Sequence, residues 1–285
     1  MSKKIILSAD STCDIGPELK ERYNVHYFNY HIQIGEESYI DGVEISPEEL
    51  YSAWRDRGIL PKTAAITPGE YAEFFSRWVQ DGNEVVHVNL GSAISSAYQN
   101  CCIAAAELGH VYPVDSASLS TGSGHLVICA AEMIAEGMPA AEIAEKLVAL
   151  REKAHASFVL DTLEFMKAGG RCSAVAAFGA NLLKLKPGIT VDRFGGGQMG
   201  VGKKYRGAME KVLVEYVRDQ LEGRDDLVLD RIFITHSGSP DEDIELVRGE
   251  IKKYADFKEI IPTRASGTIS SHCGPRTLGV LYMTK

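Results

Sequence analysis

At 285 residues, with 45% apolar and 24% charged side chains, the chain is long enough for one large core or two medium ones. A net charge of −9 argues against a nucleic-acid partner, and no apolar run is long enough for stable insertion across a bilayer. The opening MSKKIILSADST turns polar too early for a signal peptide, so a cytoplasmic location is expected.

In chain order, IILSA (5–9) predicts a strand, with a helix near Pro17–Tyr23 and a longer extended segment over VHYFNYHIQI (25–34). ISPEELYSAWRDRG (45–58) reads as a helix capped by Ser46, with Pro47 first and Glu49 closing a capping box. ITPGEYAEFFSRWVQDG (66–82) repeats that grammar with Thr67, Pro68 and Glu70. EVVHVNL (84–90) is a buried strand, SSAYQNCCIAAAELG (95–109) a helix and HVYPVDS (110–116) a strand. Two amphipathic helices follow, SGHLVICAAEMIAEG (123–137) and AAEIAEKLVALREKAH (140–155).

After about residue 155 the pattern restarts. ASFVL (156–160) is a strand, DTLEFMKAGG (161–170) a short helix ending in glycine, and AVAAFGANLLKL (174–185) an apolar helix stopped by Pro187. GITVDRFGGGQMGVG (188–202) predicts a hairpin around a glycine turn. YRGAMEKVLVEYVRDQLE (205–222) and PDEDIELVRGEIKKYA (240–255) are helices flanking the strand DRIFITHSG (230–238). EIIPTRASGTISSHCGP (259–275) and LGVLYMT (278–284) close the chain as strands and a loop, with His272 in a tight turn. The fold class is α/β, with two lobes: residues 1–155, holding a mostly parallel sheet, and residues 156–285.

Charge divides along the same line. Residues 1–155 carry 11 basic and 22 acidic side chains, a balance of −11, whereas residues 156–285 carry 19 and 17, a balance of +2. Lys167, Arg171, Lys184, Lys186, Arg193, Lys203, Lys204, Arg206 and Lys211 face only Asp192 and Glu210 between 167 and 211, a local excess that suits an anionic partner or a solvated face equally. The cysteines Cys13, Cys101, Cys102, Cys129, Cys172 and Cys273 form no C-x-x-C pair and read as reduced thiols.

The first half repeats one device, an apolar strand that breaks into a hydroxyl-rich turn before a helix: IILSADSTCD (5–14), VVHVNLGSAISSAYQN (85–100) and VYPVDSASLSTGSG (111–124). In a parallel sheet such turns gather at the carboxyl edge, where backbone N–H groups and hydroxyls suit an anionic head. Thr63 and Thr67 lie in loops able to join them. The plainer reading is that Ser11, Ser92 and Ser118 cap helices. A Ser/His/Asp hydrolase lacks the G-x-S-x-G elbow, and His87, inside an apolar strand, reads as a core residue. GQMGVGKK (197–204) nearly forms a P-loop, but Lys204 replaces the magnesium-binding hydroxyl. No metal-ligand spacing occurs, and no cofactor is expected.

The chain resembles the DegV family of bacterial fatty-acid-binding proteins along its whole length. The resemblance rests on DSTCD (10–14), KTAAITPGEY (62–71), SAISSAYQNC (92–101) and VDSASLSTGSG (114–124). It continues through FVLDTLEFMKAGGRCS (158–173), LLKLKPG (182–188), KKYRGAMEKV (203–212) and HCGPRTLGV (272–280). It implies two α/β lobes with an acyl chain buried at their junction, the head-group site in the first and the acyl pocket and a basic docking surface in the second. It implies that Thr63 and Ser95, with neighbouring Ser96, bind the carboxylate of a long-chain fatty acid, with His272 close by. Arg171 and Arg206 match positions implicated in working with a kinase subunit that carries an ATP-binding domain and makes an acyl phosphate. The binding protein itself is then not an enzyme. The chain departs from the family pattern at Thr63-Ala64-Ala65-Ile66-Thr67, where Thr-Ser-Gln-Pro-Ser is usual. It departs again at Ser95-Ser96-Ala97-Tyr98, where Ser-Gly-Thr-Tyr is usual, and at Arg276, where a small residue is usual. The alternatives are an esterase or acyltransferase using Ser95 and His272, and a binding protein for another anionic apolar ligand.

Overall fold

The computed structural model describes residues 4–176 and 185–285. Strands β1 (Ile5–Asp10), β2 (His26–Phe28), β6 (Glu84–Asn89) and β7 (Val111–Asp115) form a wholly parallel sheet in the order β2-β1-β6-β7. Between them run α1 (Gly16–Arg22), α2 (Pro47–Arg57), α3 (Pro68–Val79) and α4 (Ala97–Leu108), and after β7 come α5 (Thr121–Ala135) and α6 (Ala140–Leu150). The capping boxes form as predicted. Ser46 Oγ accepts from Glu49 N–H and Thr67 Oγ1 from Glu70 N–H, while each glutamate reaches back to its cap N–H.

The extended segment at 25–34 divides. Its first part is β2; its second, β3 (His31–Ile34), turns away and pairs antiparallel with β4 (Glu37–Ile40) and β5 (Lys62–Ala64) in a separate three-stranded sheet. That pairing sets Thr63 opposite Ile32.

The second half builds a mixed sheet from β8 (Ala154–Val159), β9 (Leu185–Asp192), β10 (Gln198–Arg206), β11 (Leu227–Ser237), β12 (Glu259–Arg264) and β13 (Thr277–Thr284), in the order β10-β9-β8-β13-β11-β12. Apart from the parallel β11–β12 pair it is antiparallel. One face carries Val159, Ile232, Ile234, Leu278 and Val280 against α9 (Met209–Leu221) and α10 (Asp241–Ile251). The other presents Phe158, Phe233 and Leu281 to the first half of the chain, where two apolar clusters join both sheets. The helix predicted over 174–185 falls mostly outside the described residues; α7 (Glu164–Gly169) precedes it, α8 (Ser173–Ala176) covers its first residues, and 185 already belongs to β9. The glycine turn does close a hairpin, and its tip docks on the loop after β6 through Ala93 N–H to Gly196 O at 2.9 Å.

The closing loop predicted around His272 is instead a helix, α11 (Gly267–Cys273). Few apolar residues mark it in sequence, because its first turn is held from far away. Gly267 N–H and Thr268 N–H donate to Asp41 at 2.8 and 2.7 Å, Ser266 N–H to Asp14 at 2.9 Å, and Ile269 N–H to the Ser266 hydroxyl at 3.4 Å. All the first-turn donors are thereby satisfied. A Cβ at Gly267 would meet Asp41 Oδ1 at 2.5 Å, so only glycine admits the carboxylate.

Burial raises both carboxyls, Asp14 from 3.8 to about 7. A carboxyl that binds its proton more tightly folded than unfolded contributes stability fully below pH 4 and loses it as pH rises towards 7. The urea midpoint of Asp14→Asn, relative to the unsubstituted protein, should therefore climb between pH 4 and 7.5; a constant difference contradicts this account. Asp41→Ala leaves two buried N–H groups without acceptors and should cost on the order of 3 kcal/mol in the same measurement.

Candidate functional site

Between the inner face of the mixed sheet and the carboxyl edge of the parallel sheet lies a pocket with about 800 Å³ of empty space, part of it open to solvent. Leu90, Ile94, Leu119, Phe158, Met199 and Leu281 give it apolar walls.

The polar end is assembled from four elements. Thr63 comes from β5, Ser95 from the turn before α4, His272 from the last turn of α11, and Arg171 from the segment after α7. Thr63 Oγ1 lies 2.7 Å from His272 Nε2. The other ring nitrogen, Nδ1, is buried without a partner against Gly169, where a Cβ would collide with it. Burial, aided by the Arg171 charge, lowers the His272 pKa from 6.5 to about 4, so the ring is neutral at pH 7. With Nε2 protonated, His272 donates to Thr63 and leaves the threonine O–H free to point into the pocket. Arg171 is exposed at the rim and donates to Gly169 O at 2.7 Å. Ser95 Oγ accepts from Ala97 N–H at 3.2 Å.

The remaining sequence candidates divide. Ser96 is exposed at the start of α4 and does not line the pocket; Arg206 is exposed at the end of β10. Ala64 lines the pocket, whereas Ala97 is packed in the core. Arg276, the third departure from the family pattern, does not line the pocket. Arg276 donates to Asp243 at 2.7 Å and to Glu210 at 2.7 Å, because those acids on α10 and α9 stand beside it.

The three hydroxyl-rich turns do gather at neighbouring strand ends, but the capping reading of their serines fails. Ser92 Oγ donates to Asp115 at 2.7 Å, Ser11 Oγ accepts from Tyr30 N–H at 3.4 Å, and Ser118 Oγ is buried with no partner. Thr67 is committed to capping α3. Leu119 and Ser120 bring the third turn to the pocket beside the second. Sequence reasoning missed Tyr30, which lines the pocket from the short connection between β2 and β3; an aromatic side chain at a strand end was its only signal.

A Ser–His–Asp array does exist, behind the pocket wall, and none of its members lines the pocket. Ser8 Oγ lies 2.8 Å from His87 Nδ1, and His87 Nε2 lies 3.1 Å from Asp10 Oδ1. All three side chains are buried inside the parallel sheet, as expected for a core histidine. His272 has one nitrogen on Thr63 and none on Ser95. Among the described residues, no cluster of His, Cys, Asp and Glu suits a metal ion, and no helix is long and apolar enough to cross a membrane.

This pocket and fold can be set beside known proteins. The DegV family model, described as that of an uncharacterised protein, matches residues 4–285. The chain belongs to the DegV family. A DegV domain-containing protein of Clostridium perfringens is 28% identical over 286 residues, covering 98% of each chain. A DegV family protein from Thermus thermophilus, described by its fatty acid binding, superposes with a TM-score of 0.87 at 28% identity, over 99% of this chain and 100% of that one. A stearic-acid-binding protein from Eubacterium ventriosum shares the fold, with a TM-score of 0.82 at 23% identity over 99% and 98% of the two chains.

Gly169→Ala should push the imidazole off Thr63 and into solvent. Its titration midpoint, read by NMR, is then expected to move from about 4 back towards 6.5. A midpoint left near 4 would show that Gly169 does not hold the ring.

Proposed function

We propose that the protein binds a long-chain fatty acid non-covalently, its carboxylate at Thr63, Ser95 and His272 and its tail along the apolar walls at the lobe junction. The observation that carries this reading is a pocket walled largely by apolar side chains in which Thr63 and His272 form a hydrogen-bonded hydroxyl–imidazole pair. Likeness to the Thermus thermophilus protein supports it.

Tail burial dominates the energetics. About 14 methylenes at roughly 0.8 kcal/mol each give about 11 kcal/mol before the costs of association. A hydrogen bond to a charged group adds only about 1.5–3 kcal/mol, so the head-group residues orient the acid more than they retain it. Residues 1–155 then supply most of the head-group end, and residues 156–285 add Phe158, Met199 and Leu281 to the acyl walls.

In this reading the protein is a carrier in the cytoplasm, where its six free cysteines stay reduced. It presents the carboxylate to a separate ATP-dependent kinase that forms an acyl phosphate, a step feeding phospholipid metabolism. Arg171, exposed at the pocket rim, and Arg206, exposed on β10, would meet that kinase or the new phosphate, with Ser96 at the surface near Ser95.

Native mass spectrometry of protein purified from bacteria should show a co-purifying acid that is lost on denaturation. A protein that arrives empty and refuses such acids would sink the reading, and turnover of acyl esters without any partner would favour an enzyme instead. Arg171→Glu should leave acid binding within about twofold while abolishing acyl phosphate formation with the kinase. Loss of both together would refute the division of roles.

A further inference from the structure

We propose that Tyr30 is a head-group donor of this pocket: its phenol turns from Asp10 to the carboxylate of the bound acid, adding a third hydroxyl to those of Thr63 and Ser95. The inference rests on the fatty-acid reading above and deepens it, since it names a residue that reads the charged head.

Tyr30 is 2% exposed and lines the pocket. Its O–H donates to Asp10 Oδ2 at 3.2 Å, the longest of the four hydrogen bonds that this carboxylate receives. The others come from Tyr71 O–H to Oδ1 at 2.6 Å, Leu90 N–H to Oδ2 at 2.8 Å and His87 Nε2 to Oδ1 at 3.1 Å. A carboxylate has about four lone-pair sites, so Asp10 is saturated. When the phenol leaves, both Asp10 oxygens still hold a donor.

Asp10 itself cannot follow the phenol, because three bonds from β6, α3 and the β6 loop fix it, and Ser8 pins His87 from behind at 2.8 Å. Of the two tyrosines on Asp10, only Tyr30 lines the pocket; Tyr71 is committed on both sides, accepting from Asn89 Nδ2 at 3.1 Å. Burial, followed by the Asp10 charge, pushes the Tyr30 phenol well above its ordinary range, so it keeps its proton and remains a donor. Ser95 and Tyr30 interact closely enough for the serine hydroxyl to affect that phenol, which puts both at one end of the pocket.

The test compares palmitate with methyl palmitate, which has the same tail and no charge, on the full-length protein by calorimetry. Tyr30→Phe should weaken palmitate about tenfold, equivalent to about 1.4 kcal/mol, and change methyl palmitate by less than twofold. Tyr71→Phe removes the other phenol on Asp10 and should lower thermal stability without altering the acid-to-ester ratio. An unchanged ratio in Tyr30→Phe, or an equal change in Tyr71→Phe, overturns the assignment. Should Tyr30→Phe fail to fold, the unsubstituted protein labelled with 13C at tyrosine Cζ gives the answer. One buried resonance should shift with palmitate and stay put with the methyl ester, and its absence overturns the inference. If the unsubstituted protein binds neither ligand, the fatty-acid reading itself fails; if it binds both and the ratio never moves, only the Tyr30 assignment does.

Discussion

Asp14 and Asp41 lie buried in the first half of the chain, where a carboxylate is costly unless donors surround it. Asp41 accepts from Gly267 and Thr268 N–H and Asp14 from Ser266 N–H, first-turn groups of α11 more than two hundred residues later in sequence, with the Ser120 hydroxyl a further donor to Asp14. The arrangement is mutually dependent. The helix gains acceptors for amides that would otherwise be orphaned, and the acids gain partners that justify their burial. Because α11 carries His272 at its far end, the clamp also sets where the imidazole meets Thr63. The polar end of the pocket is therefore positioned by charges well behind it.

Around that clamp the two sheets divide the work by chemistry. The parallel sheet ends in turns rich in hydroxyls and backbone donors, with Asp10 tying together β1, β6 and α3. The mixed sheet offers an apolar face of Phe158, Met199 and Leu281. Neither surface alone makes a site for an amphipathic molecule. Their junction brings both surfaces to one pocket, the combination on which the proposed fatty-acid reading rests.

Local signals were legible in the sequence and distant ones were not. The helices opening at Pro47 and Pro68 were readable because a capping box is confined to four residues. The strands around His87 and Phe158 declared themselves by apolar runs. By contrast, VHYFNYHIQI gives no mark of the point where β2 ends and β3 leaves for another sheet, since both halves are equally extended. Nor does SGTISSHC announce a helix, because its stability comes from Asp14 and Asp41 rather than from an apolar stripe. At the site, Thr63, Ser95, Arg171 and His272 were found through resemblance and do line one pocket. Tyr30 escaped notice because its meaning depends on Asp10, twenty residues away. Arg276 likewise takes its meaning from distant partners, Asp243 and Glu210, which hold its guanidinium.

The hairpin between β9 and β10 reaches from one sheet to the loop after β6, where Ala93 N–H meets Gly196 O. Met199, just beyond its tip, and Ile94, next to Ala93 in that loop, are both pocket walls. The two halves are thus clasped across the cavity and cannot swing apart as free lobes while the clasp holds. The hairpin tip therefore ties the position of one pocket wall to that of another, so the two cannot shift independently.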